Sequence, residues 1–226
     1  MTKNKINSDV KKLCGMAIFV AFAIIATLLT KWLQVAHLTF DAKDAVITIA
    51  AYVYGPVSAI LMSIATSVIE TLTFGGDTGW YGLLMNIAST IAFSVPAACV
   101  YRKKRDINGA ILGLLIATAC STSIMLVLNI FVAPLYFGIP LFSPYVMNMI
   151  LPLVLPFNLA KAIMNSAIAM YLYKPVTLAL KSAKLIEGDP KKVLNFNRNS
   201  VIILIVGLAG LIISAITFII LIILNQ

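Results

Sequence analysis

Charge is scarce in this chain of 226 residues: 11% are Asp, Glu, Lys or Arg, and 61% are hydrophobic. Soluble domains carry about 25% charged residues, so the solvent of most of this chain is lipid, as a mean hydropathy of +1.01 also indicates. Histidine occurs once, at His37, and the three cysteines, Cys14, Cys99 and Cys120, stand far apart with no Cys-x-x-Cys or Cys/His spacing. Metal centres and disulfides are thereby disfavoured, and the cysteines read as buried thiols. No Gly-x-x-x-x-Gly-Lys-Ser/Thr phosphate loop occurs, so ATP-driven work needs another subunit. A membrane enzyme would require a nucleophile with its base, or clustered ligands, and the scattered acids and lone histidine supply neither. The longest segment between apolar spans, Lys174 to Asn199, is too short for a second folded domain.

Apolar runs of about the length that crosses a bilayer, roughly 17 to 25 residues, lie at 13–35, 57–74, 79–100, 109–131, 150–173 and 200–224. A seventh, 44–54, is short and sits second in chain order between Asp41-Ala-Lys-Asp44 and Gly55-Pro56. It predicts a compact or broken helix supported by neighbours. The chain is therefore an all-α polytopic membrane protein. Residues 1–175 form its membrane domain, 176–199 a basic linker that is either a surface amphipathic helix or plain chain, and 200–226 an additional span.

The net charge of +9 follows from topology. Lys3, Lys5, Lys11 and Lys12 precede the first span, Arg102 to Arg105 follow the fourth, and Lys174, Lys181, Lys184, Lys191, Lys192 and Arg198 follow the sixth. Counting spans places all three clusters on one side, so the positive-inside rule puts the N-terminus in the cytoplasm of a cell-membrane protein. The opposite loops hold only Lys31 and Lys43 with Asp41, Asp44 and Asp77. These cations face lipid headgroups, and nucleic acid is an unnecessary partner. The N-terminal segment looks like a signal-peptide n-region without a cleavage cue, which reads as an uncleaved anchor.

Against this background one lysine is conspicuous. Lys161 lies inside a long apolar run with Asn158 and Asn165 on the same helical face, within about 60° of arc. A charge at that depth costs roughly 2.5–3.5 kcal/mol on insertion scales and is tolerated when it faces a cavity or partner. Other polar residues are ambiguous. Ser63, Thr66, Ser67 and Glu70 make a stripe, with Glu70 either lining an external cavity or solvated at the interface. Asn129 precedes Pro134, which is expected to limit the fifth helix, and is either a packing contact or a ligand contact. Trp80 reads as part of an interfacial belt and His37 as solvated. Ala17 and Ala21 form a small-xxx-small pair with Cys14 on the same side, a face another helix can approach.

Taken together, Leu155-Pro-Phe-Asn158-Leu-Ala-Lys161, Asn129, Pro134-Leu-Tyr136, Asp44-Ala-Val, Tyr54-Gly-Pro56 and Gly79 through Asn86 resemble the riboflavin-specific S component of energy-coupling factor (ECF) vitamin transporters. The resemblance covers about residues 13–173. It implies a six-helix subunit that binds a vitamin from outside and is energised by a separate coupling subunit and two ATPases, with no cofactor of its own. It implies flavin contacts at Asn129, Asn158 and Lys161, further ligand contacts at Asp44, Gly79, Asn86 and Tyr136, and a coupling-subunit contact at Ala17 and Ala21. The span at 200–224 departs from the six-helix pattern and is an extra C-terminal helix that either sits peripherally or obstructs the coupling surface. Other vitamins, such as folate, thiamine or biotin, and a stand-alone ion-coupled carrier are the competing functions. The latter lacks the internal repeat that many such carriers show. Few external cations disfavour a phosphorylated ligand, and Lys161→Ala is expected to weaken binding without unfolding the protein.

Overall fold

The computed structural model describes residues 2–74, 79–105, 107–183 and 198–224. The loop with Asp77 and the stretch holding Lys184, Glu187 to Pro190, Lys191 and Lys192 lie outside the described residues. Among the described residues six segments are long and apolar enough to cross a membrane: 9–30, 56–73, 79–103, 108–137, 144–182 and 205–224.

Helix α1 (Thr2–Thr30) stops five residues before the end of the predicted apolar run. The chain turns there because Leu33 N–H bonds to the Thr30 carbonyl at 2.9 Å, and a small antiparallel hairpin follows, β1 (Gln34–Val35) and β2 (Leu38–Thr39). Helix α2 (Lys43–Tyr54) has 12 residues, about 18 Å at 1.5 Å per residue, less than the roughly 30 Å hydrocarbon core. It survives because α1, α3, α4 and α7 surround it. Eight of its residues are buried. Its first turn is capped from outside, since Asn165 Oδ1 accepts the Ala45 N–H at 3.1 Å, satisfying an amide the helix itself cannot. Gly55, at φ +91°, turns the chain into α3 (Pro56–Thr73), with Pro56 at its first position.

Helices α4 (Gly79–Lys103) and α5 (Ile107–Phe137) form the closest pair in the bundle. A Cβ on Gly113 would stand 2.8 Å from the Ala97 carbonyl oxygen, so the absent side chain permits this backbone approach. Pro134 does not end α5, contrary to the sequence expectation. The helix runs on to Phe137 and closes at Gly138, φ +66°, because a proline in the final turn sacrifices little of the ladder while glycine takes the left-handed conformation readily.

A short α6 (Pro144–Met149) passes into a π-helical segment, Ile150–Val154, and then α7 (Leu155–Ser182). Pro152 and Pro156 each lack an amide donor, and the widened turn between them carries the Leu155 N–H to the Ile150 carbonyl. Helix α7 extends past Tyr173 for two more turns, so the segment beginning at Lys174 starts as helix. Helix α8 (Arg198–Leu224) packs along α7.

The ends of the helices fall into two levels. Tyr52, Tyr101 and Tyr173 cluster at one, with the Tyr101 and Tyr173 hydroxyls hydrogen-bonded. This brings Arg102 and Lys174 to the same level. At the other, Lys31 donates to the Phe74 carbonyl. The cysteines are not buried thiols: Cys14 and Cys99 are exposed and Cys120 is half-buried. The outer surface of a membrane bundle faces lipid, so an apolar thiol has no reason to be inside.

Candidate binding site

Between the hairpin and helices α3, α4, α5 and α7 lies a cavity of about 240 Å³. That is somewhat below the roughly 300–1,000 Å³ of small-molecule sites, so it suits one compact ligand rather than a peptide. Helix α7 supplies Phe157, Asn158 and Lys161; α5 supplies Asn129 and Tyr136; α4 supplies Tyr81, Gly82, Asn86 and Ser89; α3 supplies Glu70; and the hairpin segment supplies Gln34, His37 and Asp41.

The cavity floor is an ionic network. Lys161 Nζ lies 2.9 Å from Asp41 Oδ2 and 3.9 Å from Asp44 Oδ2. Lys43 pairs with Glu70 and stands 3.9 Å from Asp41. Three carboxylates therefore share two ammonium groups, all nearly excluded from solvent. Lys43, placed by the sequence in an outer loop, is 1% exposed. Neutral donors complete the carboxylate shells: Thr90 to Asp44 at 2.7 Å, Ser89 to Asp44 at 3.4 Å and Asn86 to Glu70 at 3.1 Å. Such satisfaction is what makes buried charge tolerable.

Asn165 is a structural partner. Its amide donates to the Asp41 and Lys161 carbonyls, each at 3.1 Å, while its oxygen caps α2. It thus locks the loop bearing Asp41 to the helix bearing Lys161. Asn129 and Asn158 each donate one amide hydrogen to their own helix, to Met125 and Val154 at 2.8 Å. Asn158 keeps a carbonyl oxygen and a second hydrogen at the cavity wall, whereas the Asn129 amide there also interacts with His37.

Of the predicted ligand contacts, Asn129, Asn158, Lys161, Asn86 and Tyr136 line the cavity. Asp44 stands one layer behind, holding Lys161, and Gly79 is not among the lining residues. Glu70 lines it and is buried, not solvated. His37 is also a cavity residue: its Nε2 is buried without a hydrogen-bond partner. Burial pushes the His37 imidazole below its ordinary pKa, and the neighbouring Asn129 amide opposes the shift. Asp41, Lys43, Gln34, Tyr81 and Phe157 were missed. The Asp-x-Lys-Asp signal at residues 41–44 was visible, but only a fold that returns α7 to this loop pairs it with Lys161.

Ala17 and Ala21 face outward from α1, both exposed, as does Cys14. Helix α8 leaves them uncovered.

A multi-pass helical bundle around a polar-floored cavity has the architecture of a membrane protein that captures a small molecule. The chain belongs to the family of ECF transporter substrate-specific components, whose sequence pattern matches residues 11–173. It is 30% identical over 149 residues to "Riboflavin transporter RibU" of Staphylococcus aureus (strain TCH60), covering 64% of this chain and 78% of the relative. It is 28% identical over 139 residues to "Riboflavin transporter FmnP" of Bacillus subtilis (strain 168), covering 58% and 73%. A solved structure described as "Structure and mechanism of the S component of a bacterial ECF transporter" superposes with a TM-score of 0.65 at 25% identity. The superposition takes in 99% of that chain and 76% of this one. Helix α8 lies beyond the family match, as the sequence expectation of an extra C-terminal helix requires.

Proposed function

We propose that this chain binds riboflavin from the outside and hands it to a coupling subunit and two ATPases for import. The observation that carries the reading is the convergence of Lys161, Asn158 and Asn129 on one cavity. The pyrimidine edge of a flavin alternates acceptors and donors, which two amides and an ammonium satisfy, and Tyr81, Tyr136 and Phe157 suit its ring system. The charge balance favours an uncharged ligand. Lys161 and, behind the lining, Lys43 are already neutralised by carboxylates, and the other lining lysine, Lys31, donates to the Phe74 carbonyl. The shared level of Arg102 and Lys174 supports the reading that the N-terminus is cytoplasmic. Residues 1–175 are the vitamin-binding domain, the basic stretch 176–199 begins as the last two turns of α7 and leads to α8, and Ala17 and Ala21 are the contact for the coupling subunit.

The test is to purify the chain alone in detergent, record its visible absorption and titrate riboflavin by fluorescence quenching. A yellow preparation or saturable quenching is expected. A colourless protein that ignores riboflavin overturns the assignment, and binding of folate, thiamine or biotin by the same sample would replace it.

A further inference from the structure

Helix α8 lies outside the family match, yet one of its side chains reaches the back of the cavity. Phe218 is 1% exposed. Its ring meets Phe40 at 5.5 Å between centroids and 67° between planes, and Phe157 at 5.3 Å and 79°. Both are edge-to-face contacts, the arrangement aromatic quadrupoles prefer. Phe40 closes the hairpin through its N–H to the Leu33 carbonyl at 2.9 Å and immediately precedes Asp41. Phe157 lines the cavity and immediately precedes Asn158. A single residue of α8 therefore touches both segments that aim the polar groups of the site. Leu221 joins the same apolar cluster, with Val35 and Leu38 of the hairpin.

The helix is held close enough to transmit that contact. A Cβ on Gly207 would stand 3.1 Å from the Tyr171 ring, and one on Gly210 would stand 3.3 Å from Ile163. Two glycines thus let α8 approach α7 as small residues do in membrane packing.

We infer that α8 braces the ligand site: Phe218 is a positioning residue that holds the Phe40-Asp41 segment against the Phe157-Asn158 turn and so sets how long the ligand stays. The identity of that ligand rests on the riboflavin reading, whereas the brace rests on contacts within the protein itself. The test compares full-length wild type, Phe218→Ala, Phe218→Leu and Ile216→Ala, the last on the exposed face of α8. Amide hydrogen exchange is followed without ligand, and riboflavin dissociation by stopped-flow fluorescence.

In Phe218→Ala, exchange at residues 33–42 rises while α4 is unchanged, and riboflavin leaves roughly 5- to 150-fold faster, the range of an ordinary coupling between sites. Phe218→Leu gives smaller changes of the same kind, and Ile216→Ala none. Unchanged exchange at 33–42, or a rise spread evenly over all helices, overturns the brace and leaves α8 a general stabiliser. If Phe218→Ala does not fold, the leucine variant decides by the same local exchange. If wild type ignores riboflavin, the ligand reading fails and the exchange comparison still judges the brace.

Discussion

Replacing Lys161 by methionine removes the ammonium from the cavity floor while keeping much of its apolar stem. The sequence reading expects Lys161→Ala to delete a costly charge and spare the fold; the ion pair with Asp41 leads to the opposite prediction. Asp41 loses its partner at 2.9 Å and retains only Lys43 at 3.9 Å, which already serves Glu70. Breaking a buried ion pair from one side costs about 3–5 kcal/mol, because the stranded charge stays inside. Lys161→Met should therefore lower the thermal midpoint of the empty protein. It should also weaken riboflavin binding roughly 10- to 150-fold, the equivalent of about 1.5–3 kcal/mol for a hydrogen bond to a charged group. Adding Asp41→Asn removes the stranded carboxylate with little change of shape. The double variant should regain at least half of the lost stability and none of the affinity. Fluorescence-detected melting and quenching titrations on the four proteins close the cycle. A double variant less stable than Lys161→Met, or a single variant that binds like wild type, would refute the reasoning.

Other outcomes follow from the same geometry. Asn165→Leu leaves the Ala45 amide and the Asp41 carbonyl without their partner, so stability should fall by about 1–3 kcal/mol per buried group left unsatisfied; a melt equal to wild type would refute this. The unfolded chain protonates His37 near its ordinary pKa of about 6.5, whereas the folded protein does so only at lower pH. The contribution of His37 to stability is thus present above about pH 6.5 and lost as pH falls through the folded value. Midpoints measured from pH 7.5 to 5 should decline more steeply in wild type than in His37→Gln, and equal slopes would count against a buried neutral imidazole. Ala17→Trp with Ala21→Trp should abolish co-purification with the coupling subunit and leave riboflavin quenching intact, since both side chains point away from the cavity.

Much of this architecture is legible in the sequence because lipid imposes a strict rule: backbone polar groups must be satisfied within a helix, so long apolar runs become helices. The short α2 was readable from the polar residues and Gly55-Pro56 that bracket it. Lys161, Asn158 and Asn129 were readable because polar groups in apolar runs are costly. What escaped was pairing across the chain. Asp41 and Lys161 are 120 positions apart, and nothing local distinguishes a loop lysine that is solvated from one, like Lys43, folded under the hairpin. Hydropathy likewise says that a helix is lipid-soluble, not which of its sides is inside. The cysteines were therefore misassigned, and the inward edge of α8 at Phe218 went unseen.

The ion pairs beneath the cavity explain how a membrane protein can keep a lysine at this depth. An ammonium waiting alone in the cavity would bear the cost of its own desolvation. Here Asp41 and Asp44 hold it, and Asn165 holds the backbone of Asp41 and of Lys161 together. The ligand then has only to share an ammonium already dehydrated and aimed, with no rotamer to be ordered at the moment of binding. The same arrangement supplies discrimination. A molecule without acceptors opposite Lys161 and partners for the Asn129 and Asn158 amides would bury those groups unpaired, and sites built on hydrogen bonds reject such analogues far more strongly than apolar pockets reject a missing methylene. On the proposed reading, selectivity resides in the network beneath the cavity as much as in the lining residues. Asp44→Asn, a change outside the lining, should blur discrimination between flavins and plain aromatic ring systems before it abolishes folding.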